Sequence, residues 1–477
     1  MEASRDEPAP ERAPRAGETV TGEVVDLAYG GDGVLRAAGW VVMVPRALPG
    51  DRVSVRLRRR RKGRFEGELL EVLTPSPDRV APRCAHAGLC GGCALQCLAP
   101  AAQLRWKELQ ARTLLQRLGR VTPESVAPAW QSPEVWFYRN KMEFTFAARP
   151  WVPAEQLRAG GPLPRQVALG LHLRGRYDAI FDVTDCQLQA PMTNQVIAAL
   201  RAIAHRRGLP AYDSRRDTGL LRHLVVRHAY HHPDRLLVLV VRQEDPILPT
   251  LARELQAAVP EVTGIVASVN LRRATVARGD YDLPLLGEPH WRETIAGIEF
   301  RIGASSFFQT QTQGAEALAA EVRAAADAAP GARLLDLYCG AGTLSLPLAR
   351  DGVRVLGVEI LPAAVEEAHA TARANGITGA EYRCAAIETK TAEAWETERW
   401  DVVLVDPPRS GLHPRALEKL RALRAPRIVY VSCNPSTLAR DAGVLVNEDG
   451  YRARRLRVFD LFPQTPHLEC VLTLARG

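Results

Sequence analysis

Leu334-Leu335-Asp336-Leu337-Tyr338-Cys339-Gly340-Ala341-Gly342-Thr343 reads as an apolar strand that runs into a glycine turn and then a helix. The next apolar strand, Val353 to Val358, closes on Glu359, at the spacing where a nucleotide-binding fold sets a carboxylate on ribose hydroxyls. Ser345 stands where the dinucleotide fingerprint has its third glycine, so no close pyrophosphate cradle is indicated and S-adenosylmethionine fits better than NAD. A third apolar strand, Val402-Val403-Leu404-Val405, ends in Asp406-Pro407-Pro408-Arg409-Ser410-Gly411. The prolines stop the chain from continuing as strand or helix and hold a stiff loop at the sheet's carboxyl edge. A turn capped by an acid would explain one such end. Three of them on an alternating strand and helix pattern point to an α/β, Rossmann-like fold with a ligand site along one edge.

Further on, the strand Ile428-Val429-Tyr430-Val431 runs into Ser432-Cys433-Asn434-Pro435 and a helix from Ser436. A thiol there is presented to a cleft by rigid backbone, which suits a nucleophile, although a free Cys is more often a small buried hydrophobe. The last element, Pro463-Gln464-Thr465-Pro466-His467-Leu468-Glu469-Cys470, leads into the closing strand Val471 to Leu474. Glu469 interrupts an apolar stretch, where a carboxylate without a partner would be costly and its pKa would rise. A structural salt bridge would explain it equally well from this segment alone.

Taken together, Asp-Pro-Pro-Arg-x-Gly, Ser-Cys-Asn-Pro and His-x-Glu-Cys, following a Leu-Asp-Leu-Tyr-Cys-Gly-x-Gly turn, resemble the bacterial class I S-adenosylmethionine-dependent RNA uracil-5-methyltransferases from about residue 17 onward. The resemblance implies that Cys433 is the nucleophile and Glu469 the proton-abstracting base. It implies cofactor-binding roles for Gln309, in Phe307-Phe308-Gln309-Thr310, and for Tyr338, Glu359 and Asp406, with Gly340 and Gly342 forming the turn. One departure stands out: the family often has Asn or Asp a few residues after the third strand, on the adenine side, where this chain reads Arg383-Cys384-Ala385-Ala386.

These residue types suit the chemistry. Carbon 5 of uracil is a poor nucleophile, so a thiolate adding to carbon 6 would create the enolate that attacks a sulfonium methyl group. The carbon-5 proton must then leave, and a positioned carboxylate contributes roughly a hundred- to ten-thousandfold to such a step. Access to the ring implies a nucleotide flipped from its stack. RNA cytosine-5-methyltransferases place another Cys in the loop after the Asp-Pro strand, where this chain has Pro407-Pro408-Arg409, so uracil is favoured. Adenine amino-methyltransferases use no nucleophilic Cys. A non-catalytic RNA chaperone on the same fold would have lost Cys433, Glu469 or the glycine turn, and all are present.

The nine cysteines include a second group, Cys84-x5-Cys90-x2-Cys93, with Gly91 and Gly92 between the last two. The N-terminus lacks the apolar core of a signal peptide and no run is long enough to span a membrane, so a cytoplasmic chain is expected, where disulfides are rare and a metal is the better reading. Zinc would need a fourth ligand, such as His86, Cys97 or the distant Cys186. The larger members of the family hold a four-iron four-sulfur cluster with this spacing and one remote Cys. The resemblance therefore implies a [4Fe-4S] cluster on Cys84, Cys90, Cys93 and Cys186.

Near the N-terminus, segments Val20 to Leu27, Gly33 to Val44, Arg52 to Leu57 and Glu66 to Leu73 alternate with Gly30-Gly31-Asp32-Gly33 and Leu48-Pro49-Gly50-Asp51 turns, which suggests a small OB-like barrel. From Arg52 to Arg64 there are eight basic residues and no acidic one, a concentration that would attract phosphates, with Arg58, Arg59, Arg60, Arg61 and Lys62 at its centre. A solvated edge strand would also carry such charge. The resemblance implies an RNA-binding TRAM domain here. The formal net charge of +8 agrees with a nucleic-acid partner without requiring one.

The 477 residues are thus expected to form a disordered tail (1–16), a TRAM-like barrel (17–75), a central α+β domain carrying the cluster (76–300, with a helix at 103–118) and the methyltransferase domain (301–477). In the central part Trp136-Phe137-Tyr138-Arg139-Asn140-Lys141-Met142-Glu143-Phe144 mixes aromatic and basic residues, as either an RNA-facing sheet or a half-buried strand would. Leu221 to Arg227 and Arg235 to Arg242 read as adjacent strands joined by a His-rich turn. A monomer acting on RNA is expected, with ribosomal RNA favoured over the transfer RNA T-loop.

Overall fold

The computed structural model describes residues 14–37, 39–153, 157, 158, 167–273, 276–389 and 393–477. The expected tail over 1–16 falls outside them up to residue 13. The chain divides into two compact units. One comprises residues 1–88, 92–110 and 462–467; the other comprises 89–91, 111–461 and 468–477. No helix among the described residues is long and apolar enough to cross a membrane.

In the first unit, alternating burial closes five strands into a barrel: β1 (Thr19–Leu27), β2 (Asp32–Ala37), β3 (Trp40–Pro45), β4 (Arg52–Arg61) and β5 (Arg64–Thr74), in the order β1-β2-β3-β5-β4 with β4 returning to β1. The expected single strand Gly33 to Val44 is two, because Ala37 pairs directly with Trp40 and the chain doubles back. Val24, Leu35, Val42, Val44, Val53, Val55, Leu57 and Phe65 fill the interior. Below them Asp51, fully buried, accepts from Leu48 N at 2.7 Å, Ser76 N at 2.9 Å and Arg79 Nε at 2.9 Å. Burial alone would raise this carboxyl; the donors from Arg79, Ser76 and Leu48 outweigh it and hold Asp51 below the usual carboxylate range. The helix expected over 103–118 begins earlier, at Pro100, and runs to Leu114 before widening into a π turn at Leu115–Gly119.

The second unit is built on two sheets. Short strands β6 (Ser125–Val126) and β7 (Trp130–Gln131) precede a seven-stranded sheet. It contains β8 (Lys141–Ala147), β9 (Ala168–Leu173), β10 (Arg176–Asp182), β11 (Leu221–His228), β12 (Arg235–Val241), β13 (Gly264–Val269) and β14 (Tyr281–Gly287), ordered β10-β9-β8-β11-β12-β13-β14. The two expected strands are adjacent and antiparallel, with Val225 opposite Val238. A hairpin follows, β15 (His290–Ile295) and β16 (Ile298–Gly303).

The second sheet holds β17 (Arg333–Leu337), β18 (Arg354–Glu359), β19 (Ala380–Cys384), β20 (Val402–Val405), β21 (Arg427–Ser432), β22 (Tyr451–Asp460) and β23 (Glu469–Arg476). Its order is β19-β18-β17-β20-β21-β23-β22-β6, with β7 also pairing β22. Strands β17 to β21 are mutually parallel, and β23 enters antiparallel between β21 and β22. Their near-continuous burial, complete over Val402–Val405, is what a sheet covered on both faces demands. Strand order reverses between β17 and β20, and a crevice outside the carboxyl ends at such a switch point is where ligands bind in open α/β sheets.

Candidate active site

At the end of β17 the chain leaves the sheet through an unusual turn. Tyr338 N and Cys339 N donate to Val358 O at 3.0 and 3.2 Å, and Tyr338 then adopts φ +66°, a left-handed conformation uncommon for a bulky side chain. Its hydroxyl donates to Glu388 Oε1 at 2.8 Å. Gly342, at φ +77°, has to be glycine: a Cβ there would stand 2.5 Å from the Tyr382 hydroxyl. Glu359 turns back onto this loop, accepting from Gly340 N at 3.1 Å and Leu361 N at 3.0 Å. Beside it Ile360 and Leu361 are exposed, an apolar face suited to a flat ring. Asp336, under the turn, is pushed up to about 8 by burial, with the nearby Ser345 opposing and the charges of Asp406 and Glu359 adding. Asp406, at the end of β20, rises to about 7 through burial.

The register of β21 and β23 assembles the second half of the site. Ser432 lies opposite Cys470 and Val431 opposite Val471, so the ladder continued by one residue sets Cys433 opposite Glu469. Cys433 is half-buried and Glu469 is buried. Burial, then the charges of Glu469 and Asp406, push the Cys433 thiol up to about 12, with Arg409 opposing them. Glu469 is held well above the carboxylate range by burial and Asp406, again opposed by Arg409. Asn434 caps the helix Pro435–Asp449 through Ser436 N at 3.1 Å and donates to Arg409 O at 2.9 Å, which ties the turn at Cys433 to the proline loop. That loop is pinned by buried Asp441, which accepts from Leu412 N at 2.9 Å and the Tyr430 hydroxyl at 2.7 Å.

Gln309 approaches from the loop after β16. It is nearly buried, whereas Phe307 two residues earlier is 69% exposed and Phe308 packs edge-on against Trp291 and Phe300. Asn140 clamps this loop: its side chain donates to Gln309 O at 2.9 Å and Thr312 Oγ1 at 3.1 Å, and its amide donates to Thr310 O at 2.9 Å. Buried Arg227 donates Nε to Ala304 O at 3.1 Å and Nη2 to Ser306 O at 2.5 Å. Neither residue was singled out for such a role from the sequence. The signal was a charged residue inside the apolar run Leu224-Val225-Val226-Arg227. Within Trp136–Phe144, Tyr138 and Asn140 are buried and β8 alternates between the two faces, which is the half-buried reading of that segment.

The remaining expected residues are placed as follows. Arg58 pairs with Glu68 at 2.6 Å, Arg59 with Glu66 at 2.7 Å, and the Arg60 guanidinium lies 4.1 Å over the Trp40 ring. Arg61 and Arg64 face each other across the two-residue turn Lys62-Gly63. Cys84 and Cys93 belong to the first unit, Cys90 and Cys186 to the second. Cys84 N donates to Gln96 Oε1 at 2.9 Å, Cys90 bridges to Leu173 on β9, and Cys186 N donates to Asn194 Oδ1 at 2.8 Å. Among the described residues no group of three or more His, Cys, Asp or Glu is arranged to hold a metal ion. The expected iron–sulfur subdomain thus gains no support from the geometry of the described residues.

Counting β17 as first, the parallel strands with an antiparallel seventh run 3-2-1-4-5-7-6, and with the glycine turn and Glu359 they define a Rossmann-like, S-adenosylmethionine-dependent methyltransferase. A family model described as tRNA (Uracil-5-)-methyltransferase matches residues 294–477. An uncharacterised RNA methyltransferase of Nitratidesulfovibrio vulgaris is 38% identical over 96% of both chains. One from Halalkalibacterium halodurans is 36% identical over 94% of this chain and 95% of its own. The crystal structure of the tRNA (uracil-54, C5)-methyltransferase of Pyrococcus abyssi, in complex with S-adenosyl-L-homocysteine, superposes with a TM-score of 0.73 at 28% identity, covering 95% of this chain and 99% of that one. The chain belongs to the S-adenosylmethionine-dependent RNA (uracil-5-)-methyltransferase family and carries that activity.

Proposed function

We propose that this enzyme methylates carbon 5 of a uridine in transfer RNA, with Cys433 as nucleophile and Glu469 as base. The carrying observation is the β21–β23 register, which sets thiol and carboxyl opposite each other at the sheet's carboxyl edge. Support for transfer RNA, against the ribosomal RNA expected from sequence, comes from the description of the matching family model and the substrate named for the Pyrococcus abyssi protein. Mapping 5-methyluridine in transfer and ribosomal RNA with and without the gene tests this. Loss from transfer RNA is expected; loss from ribosomal RNA alone overturns it.

The residues at the β17 turn fit S-adenosylmethionine: a glycine turn in left-handed backbone with open space at Gly340, a carboxylate on the next strand and an exposed apolar pair beside it. Tyr338, Gly340, Gly342, Glu359, Asp406 and Gln309 would hold it, and bound there it supplies an electrophilic methyl group. Cys433 gives up its thiol proton to solvent as its sulfur bonds to carbon 6 of the flipped uracil, and the electron pair of the ring double bond moves to carbon 5, which would take the methyl group. In the free protein burial first, and then the charges of Glu469 and Asp406 on the thiol and of Asp406 on the carboxyl, favour the protonated form of both groups. Once sulfur is bonded to carbon its charge is gone, and Glu469 ionises more readily. The carboxylate then takes the carbon-5 proton, the electron pair re-forms the ring double bond, and the thiolate leaves.

The barrel acts as a TRAM-like RNA-binding module through its β4–β5 hairpin. For Cys84, Cys90, Cys93 and Cys186 the reading rests on donor chemistry: four thiols outside any disulfide, in the ligand type that iron and sulfur take. Iron near four per chain after anaerobic purification is expected, and stoichiometric zinc without iron would overturn it.

A further inference from the structure

The turn that carries the chain from β16 toward Gln309 is held from three directions. Glu367, on the helix Pro362–Ala374 that follows β18, sets one carboxyl oxygen on both ends of it: Oε1 accepts from Gly303 N at 3.1 Å and from the Ser306 hydroxyl. Ser306 N donates to Gly303 O at 3.3 Å and closes the turn. Arg227 on β11 donates to the carbonyls of Ala304 and Ser306, and Asp282 on β14 accepts from the Ser305 hydroxyl at 3.1 Å. The helix grips β16 a second time just past its own C-terminal end, where Asn375 Oδ1 accepts from Glu299 N at 3.0 Å and Asn375 Nδ2 donates to Glu299 O at 2.9 Å. From Glu367 to Asn375 the helix rises about 12 Å, and from Glu299 to Gly303 the strand spans about 14 Å. The two grips therefore match in spacing, and β16 lies antiparallel along the helix.

We propose that Glu367 is a positioning residue for the cofactor site, setting Gln309 at its working distance from Glu359. This rests on the reading above of those two residues as cofactor contacts. They come from separate elements: Glu359 ends β18 and leads into the helix, while Gln309 stands on a loop outside any strand. Because β16 runs toward the helix N-terminus, the chain leaving Gly303 heads for the end where Glu359, Ile360 and Leu361 stand. Arg227, Asp282 and Asn140 tie residues 304–310 to the seven-stranded sheet and the segment just before it. Among the hydrogen bonds of the described residues, those of Glu367 alone tie residues 303–310 to an element of the second sheet's layer. The helix is itself seated by buried Val365, Ala368 and Ala372, so Glu367, about 7.5 Å along it from Pro362, carries a fixed position to Ser306, three residues before Gln309.

The test is a double-mutant cycle on the full-length protein, read as S-adenosyl-L-homocysteine affinity by calorimetry. Gln309→Ala is expected to weaken binding about tenfold, the scale of one lost hydrogen bond, and Glu367→Ala about threefold to tenfold. The double variant is expected to bind no more weakly than Gln309→Ala alone, because a contact that is gone cannot be misplaced. A merely structural role would make the two losses multiply, to about thirtyfold or more, or would leave Glu367→Ala binding like wild type. Either result overturns the proposal. Should Glu367→Ala not fold, Ser306→Ala, which removes only the hydroxyl that Glu367 holds, goes through the same cycle and decides. If Gln309→Ala itself binds like wild type, the cofactor role of Gln309 fails and the proposal with it. If Gln309→Ala weakens binding and the losses multiply, only the positioning role fails.

Discussion

At the carboxyl edge of the second sheet, Cys433 follows the last residue of β21 and Glu469 is the first of β23, two strands paired in the ladder; on the barrel, Arg58 to Arg64 come from one stretch of sequence that turns from β4 into β5. The edge site concentrates its chemistry through register: burial and the charge of Asp406 push both groups up, Glu469 adds to the rise of the thiol, and Arg409 opposes them. The hairpin dilutes its chemistry through register, because β5 brings Glu66 and Glu68 against Arg59 and Arg58. These pairs are exposed, and exposed ion pairs contribute little to stability, but they compete with phosphate for the same guanidinium groups. The lesson is that a cross-strand neighbour, absent from any local motif, decides whether a charged run is available.

The largest effect expected is on the edge. Cys433→Ala should abolish turnover and any covalent RNA adduct while leaving S-adenosylmethionine binding intact; sustained methylation would break the pairing of Cys433 with Glu469 as nucleophile and base. Glu469→Gln should slow product formation by about a hundred- to ten-thousandfold, with a protein–RNA adduct surviving denaturation. On the barrel side, Asp51→Ala leaves Arg79 uncompensated and removes acceptors from Leu48 and Ser76, so a loss of about 3–5 kcal/mol is expected, read as faster hydrogen exchange across the barrel amides. Because Asp51 is held low, its contribution is present above the ordinary Asp pKa and fades as the pH falls through its lowered value in the folded chain.

A pH series sharpens the electrostatic half of the contrast. With the Cys433 thiol at about 12, its alkylation by iodoacetamide, followed by peptide mass spectrometry, should climb about tenfold per pH unit without levelling off near the ordinary thiol range. A plateau near pH 8.5, the ordinary thiol value, would show that Arg409 and the helix N-terminus outweigh burial. The smallest effect concerns the hairpin. Neutralising Arg61, Lys62 and Arg64 at its tip should flatten the salt dependence of RNA binding by roughly 0.7–0.9 in slope for each phosphate that is no longer neutralised. Neutralising Arg58 and Arg59 should change it less, since Glu68 and Glu66 already engage them.

Strand ends were the legible part of this chain because strong local rules govern them. A short, mostly apolar run ending in Gly-x-Gly or Asp-Pro-Pro has few ways to fold, and Gly342, Glu359, Asp406 and Cys433 fall at neighbouring ends of one parallel sheet. Asn140 and Arg227 were not legible, since their partners are backbone carbonyls of the loop 304–310, interactions that no periodicity encodes. Glu388 is a related case. The Asn or Asp of the family is absent from Arg383-Cys384-Ala385-Ala386, while Glu388, two residues beyond Ala386, accepts from the Tyr338 hydroxyl.

By itself the sequence determined the order of the strand-end motifs, the thiol and carboxyl available for chemistry, and the density of positive charge near the N-terminus, all properties of contiguous residues. Tertiary structure alone decided that β23 enters antiparallel beside β21, so that residues 36 positions apart become opposite neighbours. It also decided that Glu66 and Glu68 would occupy three of the arginines, and that Gln103 would grip Gln464. Pairing across strands and burial between distant segments depend on where the chain returns in space, and for the side chains that do the chemistry this sets charge state, reach and orientation.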